Sequence, residues 1–197
     1  MVKKIFLLTF MAIGMTACSK SDDTPTNSGD NNKLLGTWVG TVEVIAEKPA
    51  QQNKVSELFK QSYGVLLGSP ESNYQTYTVR VVFMKKRLNI TNKEGQYSFQ
   101  DIAYSTLGNK IVDDEKKQPL ATYSIENNRL LAENTDFFYL VTDTNLDNLE
   151  NEKAEAYLKD FSQLDTTAPG YAEKLIELQL KYGLAYKYKY KYNLVRQ

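Results

Sequence analysis

The C-terminal segment alternates aromatic and basic residues more strictly than any other part of the chain. One set of alternate positions holds Leu184, Tyr186, Tyr188, Tyr190, Tyr192 and Leu194, and the other holds Lys187, Lys189, Lys191 and Asn193. Successive side chains of a β-strand point to opposite faces, so this period of two predicts a strand over 184–194. Burying several ammonium groups without partners is far more costly than exposing them, so we expect the Tyr face inward and the Lys face outward.

Shorter segments of the same kind fill most of the chain between residues 34 and 142. Alternation and β-branched or aromatic content predict strands over 34–44, 76–83, 87–91, 97–104, 121–125, 129–133 and 136–142. Turn-forming residues at 92–95 and 126–128 separate consecutive strands by short connections. Short connections favour antiparallel neighbours, so we expect an antiparallel meander. The charged run at 113–117 is interpreted as a solvated loop.

Three segments change to a helical period. Apolar residues recur at Val55, Leu58, Phe59 and Leu66, at Ala154, Tyr157, Leu158 and Phe161, and at Tyr171, Leu175, Leu178 and Tyr182. We expect Thr144 and Asp147 to cap the second helix and Gly183 to end the third. Helical insertions near 50–68 and 145–182 do not alternate regularly with strands, so the chain is predicted to be mainly β with inserted helices. An α+β domain with an open antiparallel sheet is the alternative.

Composition excludes several classes of function. The 197 residues contain 24 Lys and Arg against 24 Asp and Glu, which disfavours a nucleic-acid partner, and no His. Without His, the chain lacks Ser-His-Asp and Cys-His catalysis and the His-based zinc sites. No other spacing predicts a metal or cofactor site, so we expect a protein that is not an enzyme. A glycoside hydrolase using carboxylates such as Asp101 and Asp136 is the alternative enzyme hypothesis.

The N-terminus has the order of a secretory signal peptide. Lys3 and Lys4 precede an apolar run over 5–13 and a small-residue region over 14–17, and the only Cys of the chain follows. These residues resemble the bacterial lipoprotein signal, although Met15 replaces the usual Leu. The resemblance implies that residues 1–17 are removed and that Cys18 carries a lipid. A conventional signal peptide with an incidental Cys is the alternative.

Residues 18–33 are expected to form a lipidated Cys and a flexible tether. Residues 19–33 have no apolar side chain to bury, and fully extended they reach about 50 Å. The cluster Ser21-Asp22-Asp23 resembles the acidic signal that sends lipoproteins of Bacteroidetes bacteria to the outside of the outer membrane. Ordinary linker composition explains the same residues. The resemblance implies a protein anchored in the outer membrane and exposed at the surface.

The domain predicted over 34–197 resembles the bacterial lipocalin-like proteins. The resemblance rests on Gly36-Thr37-Trp38 at the start of the first strand, on the antiparallel meander and on Arg196 after the last strand. It implies a closed β-barrel in which Arg196 packs over Trp38 at the base. A generic α+β domain would instead hold Trp38 as an ordinary core residue.

The 14 tyrosines suggest what the domain binds. Tyrosine combines a flat apolar ring with a polar tip, which suits an amphipathic or glycan ligand, but strand propensity alone also enriches Tyr. Tyr186, Tyr188 and Tyr190 are the candidate ligand contacts, because they lie away from the end marked by Arg196. The predicted function is ligand or partner binding without catalysis, and a structural accessory subunit that binds an envelope protein is the alternative.

Overall fold

The computed structural model describes residues 31–67, 75–141 and 149–197. The predicted signal peptide, Cys18 and most of the tether lie outside these residues, as do Thr144 and Asp147. The described strands are β1 (Gly36–Ala46), β2 (Thr76–Phe83), β3 (Arg87–Asn92), β4 (Ser98–Leu107), β5 (Lys110–Asp113), β6 (Gln118–Glu126), β7 (Arg129–Asn134), β8 (Phe138–Val141) and β9 (Ala185–Arg196). The described helices are α1 (Asn31–Leu34), α2 (Gln52–Leu67), α3 (Asn151–Phe161) and α4 (Tyr171–Tyr182), and a short 3₁₀ turn (Pro49–Gln51) precedes α2.

The strands form an antiparallel sheet that closes on itself. Strands β1 to β7 pair with their sequence neighbours, β7 pairs with β9, and β9 pairs with β1. Trp38 of β1 is therefore opposite Val81 on one side and Arg196 on the other. The result is a closed barrel of eight strands, which confirms the predicted mainly β fold with inserted helices. Closure also rules out the open-sheet alternative.

Strand β8 is an addition to this ring. It pairs with the N-terminal part of β9, where Phe138 is opposite Tyr188, whereas β7 pairs with the C-terminal part, where Glu133 is opposite Lys191. Strands β7 and β8 thus follow one another along the same edge of β9. The long last strand extends beyond the barrel at this end, together with the end of β1, where Ala46 is opposite Tyr188.

The barrel interior is filled by the inward positions that alternation predicts. Along β2, the buried residues are Tyr77, Val79, Val81 and Phe83, and the residues between them are partly exposed. On β9, Tyr188, Tyr192 and Leu194 are buried, whereas Lys191 is exposed. The Tyr face therefore looks inward, because hydrophobic burial stabilises the fold most when the apolar set of each strand shares one side.

Helix α2 packs over the end of the barrel at which β1 finishes. The Phe59 ring lies 5.3 Å from the Tyr77 ring and 5.8 Å from the Tyr188 ring, centroid to centroid. Gln52 joins the helix to the sheet, since its side-chain oxygen accepts from the Ala46 N–H at 2.8 Å and its amide donates to the Val44 carbonyl at 2.9 Å. One side-chain amide therefore provides the hydrogen bonds that a neighbouring strand would have given β1.

Helices α3 and α4 form a hairpin beside the barrel with a small core of their own. Tyr157, Leu178 and Leu184 are buried together in it. Helix α4 ends at Gly183, which has a left-handed φ of 74°, as the sequence predicts. Helix α3 begins after Glu150 without a side-chain cap. Its apolar stripe is only partly covered, because the exposed fractions of Leu158 and Phe161 are 50% and 38%.

Strand β5 is absent from the sequence-based prediction, which assigned residues 113–117 to a solvated loop. That assignment is wrong for Asp113, whose side chain is buried and whose Oδ1 accepts from the Glu115 N–H at 2.8 Å and the Lys116 N–H at 3.0 Å. A carboxylate that closes a turn in this way satisfies backbone donors while it is itself buried. Gly108 and Asn109 are the available sequence signal, since a Gly-Asn pair is typical of a tight hairpin turn.

Candidate functional site

One end of the barrel, here called the closed end, is sealed around Trp38. The Trp38 ring is fully buried, and its Nε1 donates to the Leu34 carbonyl at 2.7 Å. The Arg196 guanidinium carbon lies 4.7 Å from the ring centroid, and a guanidinium NH₂ of Arg196 also donates to the Lys33 carbonyl. Gly36 lies two residues before Trp38, opposite Phe83. These contacts join the two ends of the folded segment and bury Trp38 between them.

A cavity of about 290 Å³ occupies the interior between this seal and the opposite end. Its wall is mostly apolar and comes from β2 to β7 and β9: Val81, Phe83, Leu88, Ile90, Ile102, Ile111, Leu120, Ala121, Leu130, Ala132 and Leu194. Phe138 and Tyr192 complete the wall on the side of β9. A concave, apolar space with a few polar groups at its edge is the usual form of a small-molecule site.

The polar lining of the cavity is concentrated between β4 and the turn that joins β5 to β6. Gln100 and Asp101 come from β4, and the exposed Glu115 and Lys116 come from the turn. Strand β5 pairs with β4 only from Tyr104 onward, and the Asp114 N–H donates to the Ala103 carbonyl at 2.9 Å, so residues 98–102 of β4 have no strand partner on this side. This gap in the pairing is the mouth of the cavity.

Two of the mouth carboxylates already have partners. Asp101 Oδ1 accepts from the Arg87 Nε at 2.9 Å on the outer surface, and Asp113 is held by backbone amides as described above. Asn134, which also lines the cavity, donates to the Leu120 carbonyl at 3.1 Å and accepts from the Tyr190 N–H at 3.3 Å. Gln100, Glu115 and Lys116 are therefore the polar side chains best placed to meet a ligand head group.

The three tyrosines predicted as ligand contacts lie together, but they do not line this cavity. Tyr188 and Tyr190 belong to the aromatic layer under α2, where their rings lie 5.4 Å apart and their hydroxyls 3.4 Å apart, and Tyr186 packs against the same core. The exposed fraction of Tyr188 is 1%, and burial raises the pKa of its hydroxyl. Ligand contact by these tyrosines stays a prediction; Tyr192, two residues further on, lines the cavity.

Burial also affects the other phenols of this layer. It raises the pKa of Tyr77 to about 12, and it raises the pKa of Tyr63, Tyr190 and Tyr192 well above the ordinary value. Removal of water around a phenolate disfavours its charge, so these hydroxyls stay protonated at neutral pH. The layer provides packing and neutral hydroxyl groups.

Sequence reasoning did not single out Gln100, Asn134 and Lys116. The period of two identifies which side chains of a strand face inward, and Gln100 and Asn134 follow that period. It does not show which inward side chains enclose empty volume, because that depends on the packing of several strands around the barrel.

The two carboxylates of the hydrolase alternative occupy different environments. Asp101 lies at the cavity mouth in its ion pair with Arg87, whereas Asp136 is exposed in the segment between β7 and β8 and is not part of the cavity lining. In the parts of the chain that the structure describes, acidic side chains form no group of three or more able to hold a metal ion.

None of the helices within residues 31–67, 75–141 and 149–197 combines the length and the apolar character that crossing a membrane requires. Comparison with protein-family models, with curated proteins and with solved structures finds no match for this chain.

Proposed function

We propose that this chain is a lipid-anchored protein of the bacterial cell envelope whose barrel binds a small amphipathic ligand without catalysis. The observation that carries the proposal is the apolar cavity of about 290 Å³ with its polar mouth. A folded core normally closes such voids, because each lost contact costs dispersion and hydrophobic free energy. A void of this size at an open mouth is best explained by an occupant.

The lining indicates the chemistry of that occupant. The volume lies just below the range of about 300–1,000 Å³ typical of ligand pockets, so the ligand is smaller than most drug-sized molecules. Aliphatic and aromatic walls favour an apolar body, and each methylene group buried there contributes about 0.8 kcal/mol. Gln100 and Lys116 offer hydrogen-bond donors to a head group at the mouth, and Glu115 offers an acceptor.

The lipid anchor at Cys18 is proposed from the sequence resemblance alone. Several acyl chains hold a protein stably at a membrane, whereas one chain gives only marginal binding. Mass spectrometry of the N-terminal peptide from detergent-solubilised membranes should show the acyl mass on Cys18, and Cys18→Ser should abolish it. An acyl mass that persists in the variant would refute the assignment. The outer-membrane and surface location is proposed from Ser21-Asp22-Asp23.

The binding function can be tested by filling the cavity. Ala121 is buried and lines the cavity, and the next residue on β6, Thr122, is exposed on the outer side. Titration with the neutral fluorophore N-phenyl-1-naphthylamine should show saturable binding to the wild-type protein. Ala121→Phe should weaken this binding at least about tenfold, since the new ring takes up space that the fluorophore needs.

Thr122→Phe is the matched control, because it adds a ring of nearly the same size on the opposite face of the strand. It should leave fluorophore binding unchanged. Ala121→Leu provides a milder second variant, and circular dichroism checks that both Ala121 variants keep the fold. Equal binding by Ala121→Phe and wild type would contradict the cavity as the binding site.

A second function is favoured by the hairpin of α3 and α4. Leu158 and Phe161 are exposed side by side on α3, and the Phe161 ring stacks 5.9 Å from the Tyr157 ring. Exposed apolar side chains of this kind are typical of protein–protein contacts. If the protein is instead an accessory subunit of an envelope complex, a partner that copurifies with the wild type should be lost in Leu158→Asp.

A further inference from the structure

The two ends of the barrel carry different charge. The closed end is formed by the turns β2–β3, β4–β5 and β6–β7, because antiparallel neighbours place alternate turns at the same end. The exposed basic side chains in or next to these turns include Lys85, Lys86, Lys110 and Arg129, and none of the ion pairs found within the described residues includes these four. Glu126, the last residue of β6, is the acidic side chain at the same turns and lies opposite Arg129.

The opposite end is not basic. Its turns and loops within the described residues carry the acidic side chains Glu47, Glu94, Asp113, Asp114, Glu115 and Asp136 against the lysines Lys48, Lys93, Lys116 and Lys117. Among the described turns and loops, the excess of positive charge therefore lies at the closed end. An uneven distribution of charge orients a protein at a charged surface even when the net charge of the protein is close to zero.

Exposed apolar side chains accompany the basic residues. Met84 lies next to Lys85 with an exposed fraction of 45%, and Leu107 lies at the start of the β4–β5 turn with an exposed fraction of 46%. Turn residues have no packing reason to be apolar in water. Apolar side chains surrounded by exposed cations suit the boundary between the anionic head groups and the acyl chains of a bilayer. At this boundary, electrostatic attraction and apolar burial both contribute to the binding free energy.

We propose that the closed-end surface, defined as Met84, Lys85, Lys86, Leu107, Lys110 and Arg129, docks on an anionic lipid bilayer. The described chain enters the fold at α1, next to this surface, because the Trp38 Nε1 bonds to the carbonyl of Leu34 at the end of that helix. The proposed tether from Cys18 therefore leads to the same end. Docking directs the cavity mouth away from the bilayer.

The test uses the unlipidated chain of residues 19–197, which contains every described strand and helix and does not depend on the anchor at Cys18. Its flotation with vesicles of phosphatidylcholine and phosphatidylglycerol is compared with vesicles of phosphatidylcholine alone. We expect binding to the anionic vesicles that weakens as salt rises above about 0.1 M, because salt screens exposed charges. The variant Lys85→Ala/Lys86→Ala should bind about 25-fold more weakly, at about fivefold for each lysine.

The matched control is Lys48→Ala/Lys93→Ala, which removes the same charge from the opposite end and should bind as the wild type does. Met84→Ser should weaken vesicle binding without changing retention on heparin, since heparin offers charge but no apolar layer. Equal flotation with both vesicle types, or an equal loss in the control, would overturn the proposal. If Met84→Ser bound anionic vesicles as strongly as the wild type does, the closed-end surface would bind polyanions in general and the bilayer proposal would be wrong.

Discussion

Two buried tyrosines differ in one hydrogen bond. The Tyr104 hydroxyl donates to the Met84 carbonyl at 3.1 Å, whereas the Tyr77 hydroxyl is buried without a hydrogen-bond partner among the described residues. A satisfied buried hydroxyl stabilises a fold by about 0.5–1.5 kcal/mol, and an unsatisfied one is a cost. The phenolic hydroxyl therefore stabilises the fold at Tyr104 and destabilises it at Tyr77.

Replacing each tyrosine by phenylalanine should reveal this difference. Tyr104→Phe should lower the free energy of unfolding by about 1 kcal/mol, because it removes a made hydrogen bond. Tyr77→Phe should leave it unchanged or raise it by up to about 1 kcal/mol, since it removes an uncompensated polar atom. Urea unfolding at neutral pH measures both values, and a loss at Tyr77 as large as that at Tyr104 would contradict the assignment.

The contact between Arg196 and Trp38 is also a residue-scale prediction. Arg196→Ala should lower the free energy of unfolding by about 0.5–2 kcal/mol, the range for a cation over an aromatic ring. Trp38 is the only Trp, so its fluorescence reports on this end alone. Arg129→Ala, which removes an exposed arginine from the same end, is the control. Equal stability of Arg196→Ala and wild type would show that the contact contributes nothing.

At the scale of elements, closure of the barrel depends on a close approach of β1 and β9. A Cβ added at Gly40 would lie 2.2 Å from the Asn193 carbonyl oxygen and 2.8 Å from the Leu194 Cα, both backbone atoms of β9. Backbone of a paired strand has no room to retreat without loss of register. Gly64 in α2 is different, because its nearest neighbour is the flexible Lys60 side chain at 3.7 Å.

Alanine at these two glycines should therefore have opposite effects. Gly40→Ala should destabilise the protein by about 1–3 kcal/mol through overpacking. Gly64→Ala should stabilise it by about 0.5–1 kcal/mol, because glycine in a helix interior is entropically unfavourable. Thermal and urea unfolding of the two variants measure the contrast, and a tolerated Gly40→Ala would show that β1 and β9 separate easily.

At the scale of the whole molecule, the buried phenols make stability depend on alkaline pH. Burial raises the pKa of Tyr77 and of Tyr104 to about 12, above the value of about 10 expected in the unfolded chain. The folded state therefore holds these protons over a range in which the unfolded state releases them. The contribution is complete below about pH 10 and is lost as the pH rises toward about 12.

We expect the free energy of unfolding in urea to fall between about pH 10 and about pH 12. Tyr77→Phe should reduce the fall, because phenylalanine has no proton to lose. Tyr97→Phe, at a phenol with an exposed fraction of 51%, is the control and should retain the wild-type slope. An identical slope in Tyr77→Phe would mean that this phenol ionises equally in both states.

The sequence by itself determined most of the strands, their inward faces and the helix boundary at Gly183. These features follow from local periods and turn residues, which act within a few positions of the chain. The short β5 and the buried role of Asp113 were missed, because a four-residue strand has too few alternations to distinguish it from a loop.

Only the tertiary structure decided where the interior is filled and where it is empty. The Tyr188 and Tyr190 rings meet Phe59 of α2 and Phe138 of β8, and Tyr186 packs against the same core, so aromatic packing occupies the region that alternation alone left open to a ligand. The cavity lies instead beside Tyr192, where side chains from seven strands of the ring leave a space. Its volume depends on contacts between residues far apart in sequence, and no local pattern encodes such packing.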